Sequence, residues 1–533
     1  MLAHLLPRML FIQLWLLVLS AADLPSTEIN EKKSTLGYLH ERATGACDAL
    51  SAALPEQVFW PNSSQYLNQS QKHGPAKNPK DVWSQTCVLE PLCVFEPPSV
   101  SALSQGLKLI RDAKSQFAFR AGGHMPVPGA QSLDDGVMIS ASLFNINNLS
   151  ADGSIASIGP GQTWMDVYQW LAPYGKAING GRFPSVGVGG LLVGGGMGYF
   201  SGSQGWAVDN IVGWQVVLWN GTVIEVTNDV QDPHADLAWA LKGGSNLFGL
   251  VTRFDVRTFP VTSAFGGLTV WSSEAGPDVL GSLTNYMAPG GGVDDPNVHI
   301  DVFSGISFAN GTPALSYYNI ALYPGGEAGP TALENFTAIP ADMTLSNGVD
   351  VHQSWTAIPE QLDSFSTRAL RNLFYAISFE ATEESISLYN KTVIDNAVSM
   401  LSNVDGLATY AVYQPVSKQY LQASKAKGGN VLGLDPDVDG TFIAGIILSM
   451  WEKAEDDAAV LKFSQTTAQQ VREKTEALGL YNQFIYLGDS AQGQLPFGSY
   501  ANGKNLPKLK AIRGRYDPEG FLENYLHRGF PLA

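Results

Sequence analysis

Three cysteines in 533 residues are too few for a disulfide-built scaffold. Neither a C-x-x-C pair nor a nearby histidine cluster accompanies them, so a four-ligand zinc site has nothing to complete it. Basic residues are scarce as well: 32 Lys and Arg stand against 49 Asp and Glu, for a formal net charge of -17. That balance excludes a nucleic-acid partner, which needs clustered cations to displace counterions. Beyond the N-terminus no apolar run approaches the roughly 20 residues of a bilayer crossing. Several catalytic signatures are missing too. There is no H-E-x-x-H, and the eight histidines are scattered from His4 to His527. A phosphate loop of the G-x-x-x-x-G-K-S/T type is lacking, and so is a G-x-G-x-x-G between a strand and a helix. Ser203 stands in S-G-S-Q-G, where Ser201 replaces the first glycine of a nucleophile elbow, which disfavours serine-hydrolase chemistry.

What is present begins at the N-terminus. His4 and Arg8 precede an apolar stretch from Met9 to Leu19, and Ser20, Ala21 and Ala22 follow with small side chains. This is the pattern of a signal peptide over residues 1–22, and the apolar run is too short for an anchor. The expectation is export, with no membrane attachment after cleavage. Seven N-x-S/T sequons, at Asn62, Asn68, Asn148, Asn220, Asn310, Asn335 and Asn390, fit a glycosylated secretory product. An oxidising compartment would allow one disulfide, for which Cys47 with Cys93 is the favoured pair, leaving Cys87 over.

The length points to two or three compact units. After a polar opening from Asp23 to about His40, expected to lack regular structure, a helix should hold Cys47 and Leu50. Loops rich in Asn, Ser, Gln and Pro then run to about Lys80. From Leu89 short apolar strands (Cys93–Phe95, Gln116–Arg120, Val137–Ser140, Ser154–Ile158) alternate with amphipathic helices at Ser99–Ala113 and Trp164–Tyr174, the latter stopped by Gly175. From Thr262 to about Tyr486 the strands lengthen (Val298–Phe308, Leu315–Leu322, Leu407–Tyr413, Thr441–Trp451), with helices at Glu383–Leu401 and Asp456–Leu478. The fold class expected is α+β, with a second domain built on an antiparallel sheet covered by helices.

Glycine makes up 55 of the 533 residues, about a tenth against a usual share of roughly 7%. The excess concentrates between Gly180 and Gly205, a density no packed helix or strand would choose, because each glycine adds backbone entropy lost on folding. Something must approach that backbone closely, and an anionic cofactor whose pyrophosphate meets consecutive N–H groups is the best candidate. A second signal is Arg120-Ala121-Gly122-Gly123-His124, directly after an apolar strand. There the glycines make a tight turn and present an imidazole, a neutral nucleophile near pH 7.

Taken together, R-A-G-G-H at 120–124, I-G-P-G at 158–161, G-G-R-F-P-S-V-G-V-G-G at 180–190, G-G-G-M-G at 194–198 and the stretch from Asp236 to Thr252 resemble one family in order and spacing. The chain resembles the vanillyl-alcohol-oxidase-type (PCMH-type) FAD-binding proteins and, within them, the berberine-bridge-enzyme-like oxidases. Tyr516–Phe521 is similar to the family's closing segment, and the C-terminal region looks most like fungal members. The resemblance covers about Cys47 to Leu532. It implies FAD as cofactor, joined through the His124 ring to the flavin 8α-methyl group, with Arg120, Ala121, Gly122 and Gly123 and the later glycines Gly187, Gly190, Gly194, Gly195 and Gly198 around it. Val251 is the expected contact beside the flavin. Phe183, before Pro184, stands where bicovalent members carry a cysteine that makes a second link, so one link is expected. The implied organisation is an FAD-binding domain over 40–261 with its core at about 89–261, a substrate-binding domain over 262–485, and a segment over 486–533 that returns to the first.

The proton acceptor is less plainly marked. Some members use a glutamate on a second-domain strand, but the matching stretch around Ile446 holds no acid. Others use a late tyrosine or acid, and the matching residues are Tyr486, Leu487, Gly488 and Asp489. Asp489 is the first choice for the base and Tyr486 the second, while Tyr410 and Tyr413 face either the flavin or the core. Family substrates are sugars oxidised at the anomeric carbon or small specialised metabolites, and the fungal resemblance favours the second. A sugar oxidase would display aromatic platforms, for which Trp271, Trp355, Trp451, Tyr317 and Tyr318 are candidates. A flavin-binding protein without activity is the remaining alternative, since fold does not fix activity. The expected partners are a small-molecule substrate and oxygen, with the protein a monomer.

Overall fold

A computed structural model describes residues 26–70, 82–363 and 370–532. The signal-peptide expectation for residues 1–22 lies outside the described residues. Three large sheets organise the chain. In the first, Cys93–Phe95, Val137–Ser140 and Phe117–Arg120 run parallel as neighbours, with Val58–Phe59 antiparallel at one edge and Leu526–His527 parallel at the other. The central strands are almost wholly buried, as a parallel sheet covered on both faces requires. The helix Val100–Ala113 lays Leu103, Leu107 and Ile110 against it. Ser99 caps that helix by accepting from the Ala102 amide at 3.2 Å.

Between Asp23 and His40 the sequence predicts no regular structure, yet one helix runs from Ser26 to Ala53. From Ser26 to Ala53 there is no proline, and Glu28, Glu31, Lys32 and Lys33 are good helix formers, so the segment propagates a helix whose later turns are held by the core through Ala46, Cys47 and Leu50. A disulfide joins Cys47 to Cys93 and so ties this helix to the first parallel strand. The segment read as loop up to Lys80 also contains the helix Ser64–Ser70.

The second sheet is antiparallel, with Asn147–Leu149, Ile155–Ile158, Leu250–Arg257, Ile211–Val217 and Val223–Thr227 in that spatial order. The helix Trp164–Leu171 covers it and starts at a capping box between Thr163 and Asp166. One tighter turn follows to Tyr174, and Gly175 ends it in the left-handed region at φ 63°.

The third sheet has nine antiparallel strands drawn from Ala264 to Asn482. Its long members are Ala264–Ser272, His299–Ala309, Thr312–Pro324, Arg371–Glu380, Ala408–Val416 and Phe442–Trp451. Helices Gly276–Met287, Glu383–Leu401 and Asp457–Ala477 cover one face, and their apolar sides share a core with Val302, Ile306, Ala411, Tyr413, Ile443 and Ile447. The two-residue period of the strands then sends Phe303, Tyr410, Val412, Gln414, Ile446 and Leu448 to the opposite face, which looks onto the glycine-rich half of the molecule.

Candidate active site

Two glycine segments far apart in sequence cross at their backbones. A Cβ built on Gly122 would lie 2.3 Å from the Gly187 Cα, and one on Gly187 would lie 2.5 Å from the Gly122 Cα. A Cβ on Gly189 would stand 2.8 Å from that of Ala121. Only glycine permits this approach, which explains why both segments are so rich in it. The crossing floors a cavity of about 310 Å³, closed on the other side by the nine-stranded sheet.

Elsewhere in the cavity, glycine creates room rather than contact. A Cβ on Gly190 would meet nothing within 4 Å, and one on Gly194 would meet only Leu487 at 3.4 Å. Side chains there would fill space that now belongs to the cavity, which is what a cradle for a large planar cofactor with an anionic tail needs. By this test the residues fit FAD.

Of the sequence-predicted residues, Ala121, Gly122, Gly123, His124, Gly187, Gly190, Gly194 and Val251 border the cavity together with Tyr486 and Asp489. Arg120, Gly195 and Gly198 do not. The Arg120 guanidinium donates to the backbone oxygen and Oε1 of Gln69, away from the cavity. Gly198 is required by packing, since a Cβ there would lie 2.3 Å from Asn179 Oδ1. Gly195 has φ 119° and sits between Tyr486 and Leu432. Tyr410 lines the cavity, whereas Tyr413 is buried behind the sheet. Phe183 borders the cavity at the position where a cysteine would have made a second link.

Sequence reasoning missed Trp83. Its ring stacks on His124 with centroids 4.5 Å apart and planes 9° from parallel, and on its far side it meets Phe374 at 4.9 Å. The Trp83 amide donates to the Gly123 carbonyl at 3.0 Å, and its own carbonyl accepts from Asn372 Nδ2 at 2.9 Å. The imidazole is therefore held between the glycine turn and a strand of the nine-stranded sheet. Trp83 lies just past a stretch with no periodicity, and no motif marks it.

A buried polar cluster was also missed. Arg182 donates to both carboxylate oxygens of Asp301, at 2.6 and 2.8 Å, with the two side chains 12% and 2% exposed. A second Arg182 nitrogen donates to Gln414 Oε1, and Gln414 Nε2 donates to Asp489 Oδ2 at 2.7 Å. His299 Nε2 sits 3.2 Å from Asp301 Oδ2. Burial pushes the Asp489 carboxyl up to about 6, while the Arg182 charge and the Gln414 hydrogen bond hold it down and Asp301 raises it. Burial disfavours the Arg182 charge, but Asp301 and Asp489 outweigh it and leave the guanidinium held more firmly charged than usual. Burial also pushes the Tyr486 phenol well above its ordinary range, and its oxygen accepts from the Gly196 amide at 2.8 Å.

A parallel sheet and an antiparallel sheet carrying crossed glycine turns, roofed by a large antiparallel sheet, define the class of flavin-dependent oxidoreductases. Residues 91–227 match the family described as FAD binding domain. Over 516 residues the chain is 34% identical to FAD-dependent monooxygenase prx3 of Penicillium roqueforti, covering 95% of this chain and 97% of that one. It is 30% identical over 505 residues to FAD-dependent monooxygenase tpcD of Cochliobolus heterostrophus, covering 91% and 94%. Among solved structures, xylooligosaccharide oxidase from Myceliophthora thermophila C1 shares the fold with a TM-score of 0.70 at 19% identity, over 91% of this chain and 99% of that one. BBE-like 1 of Physcomitrella patens does so at 0.69 and 16%, over 91% and 99%. The chain belongs to the FAD-binding family of these fungal FAD-dependent monooxygenases, its cofactor is FAD, and it shares its fold with the berberine-bridge-like and oligosaccharide oxidase structures.

Proposed function

We propose that this protein is a secreted oxidase that takes a hydride from a small, largely apolar organic molecule, with His124 as the covalent anchor of the flavin and Asp489 as the base. The observation that carries the reading is the composition of the cavity wall opposite the glycines. Leu268, Phe303, Ile320, Val412, Ile446 and Leu448 make up most of it, with Tyr318, Tyr410, Asp301 and Gln414 as its polar members. Such a wall binds an apolar skeleton and orients one or two oxygens on it. A carbohydrate offers hydroxyls on every face and would leave most of them unpaired here. Trp271, Trp355 and Trp451, the candidate stacking platforms for sugar rings, are each at most 2% exposed and belong to the cores.

Bound flavin supplies the hydride acceptor. The chain's own residues supply the rest. Val251 and the glycine backbone would hold the flavin, and the apolar wall would exclude water from the reacting bond. Asp489 faces the cavity and is buried enough to bind a proton near neutrality, so its carboxylate takes the substrate proton as the hydride leaves. Tyr486 is a poorer base, because its oxygen is engaged with Gly196 and its ionisation is opposed by burial. Molecular oxygen is the proposed final acceptor, giving hydrogen peroxide. Secretion is supported by the disulfide and by sequons at Asn62, Asn68, Asn148 and Asn310, all of them exposed. Asn390 is a poor acceptor, because its Oδ1 is buried inside a helix.

Purified protein is precipitated with acid, and separately its flavin absorbance is followed anaerobically against apolar alcohols, amines and oligosaccharides, with peroxide assayed on admitting air. Yellow colour in the pellet and bleaching by an apolar compound are expected. Colour released to the supernatant removes the His124 bond, and bleaching by oligosaccharides alone overturns the substrate class.

A further inference from the structure

Gln414 lies on the strand Ala408–Val416 and is 2% exposed. Its amide is used at both ends: Oε1 accepts from Arg182, while Nε2 donates to Asp489 Oδ2 at 2.7 Å and to the Ala444 carbonyl at 3.1 Å. These partners fix which end is which. A guanidinium has only donors, and a carboxylate and a carbonyl have only acceptors, so a rotated amide would face like against like at all three contacts. Arg182 cannot swing to relieve such a mismatch, because Asp301 grips it through both oxygens.

We infer that Gln414 is a positioning residue that aims the Asp489 carboxylate into the cavity and favours its charged form by passing on the polarity of Arg182. The inference rests on the reading of Asp489 as the base. A direct Arg–Asp contact would hold the acid about 1–3 pH units below its ordinary value and leave it too weak to take a proton. A neutral apolar residue in place of Gln414 would leave the buried acid protonated at working pH. An amide bridging the two gives an intermediate result, with Asp489 charged near neutrality yet still basic. The other groups facing Asp489 act in known senses. Asp301 opposes its ionisation, Arg182 favours it, and the phenols of Tyr486 and Tyr500 stay neutral beside it because burial raises both.

The test is an infrared pH titration of the holoenzyme. It follows the C=O stretch of the protonated Asp489 carboxyl, assigned by its loss in Asp489→Asn. In Gln414→Met the midpoint should rise by about 1–2 pH units, the worth of one hydrogen bond to a charged group. Gln414→Glu keeps size and the Arg182 partner but sets a second acid beside Asp489, and its midpoint should rise as well. Where Gln414→Met fails to accumulate, Gln414→Glu alone decides the matter. An unchanged midpoint in the folded, flavin-loaded variants overturns the inference. Asp489→Asn that still reduces its flavin with substrate at the wild-type rate overturns the assignment of the base instead, and it does so whether or not the Gln414 midpoints move.

Discussion

His124 and Asp489 approach the cavity from opposite halves of the chain, and each depends on a neighbour that no motif announces. The imidazole is clasped between Trp83 and its own glycine turn. Trp83→Ala should remove that stacking and lower the share of flavin that stays with acid-precipitated protein, while Trp83→Phe should keep most of it. In His124→Ala none should remain. Fluorescence of the denatured band under ultraviolet light measures all three. For Asp489 the sign is set by burial: its carboxyl takes up a proton below pH about 6, and only the charged form is a base. The apparent kcat/KM should therefore fall about tenfold per unit on the acid side of that value, and Asp489→Asn should lower the rate and erase the limb. The glycines and His124 that line the cavity could be picked out in the sequence because they stand in short local motifs. Arg182, Asp301 and Gln414 were not, since each is ordinary among its neighbours and they meet only through folding, 119 and 232 positions apart. Arg120 was misjudged for the converse reason: it sits inside the motif, but strand alternation turns its side chain to Gln69.

At the scale of the element, strands and helices declared themselves by period. Val137–Ser140 and Glu383–Leu401 fall at the expected residues, and Ala408–Val416 extends three residues past the expected end. Alternation along that strand also settles which tyrosine faces which way, once the covered side of the sheet is known. What period does not reveal is a polar helix carried by its neighbours, as between Ser26 and His40. Its anchor is the bridge between Cys47 and Cys93, which closes a separation of 46 residues. Opening a loop of that size costs about 4 kcal/mol in the chain-entropy account. Cys47→Ser should accordingly lower the thermal midpoint measured by circular dichroism. Cys87 closes no loop, so although it is buried with its thiol donating to the Met125 carbonyl at 3.4 Å, Cys87→Ala should lower that midpoint by less.

Across the whole molecule, the site belongs to no single sheet. The glycine crossing comes from the first half of the chain, the apolar wall from the second, and Gly529 and Phe530 from its last few residues. The strand Leu526–His527 brings those residues in by pairing with Phe117 and Ala118 beside the His124 turn. Removal of residues 526–533 should leave the nine-stranded sheet in place and yet weaken FAD retention, a loss that flavin absorbance in size-exclusion fractions would record. The same pairing makes the chamber's closure a long-range event: until Leu526–His527 has docked beside Phe117 and Ala118, the border held by Gly529 and Phe530 stays open, whatever the rest of the cradle has already formed.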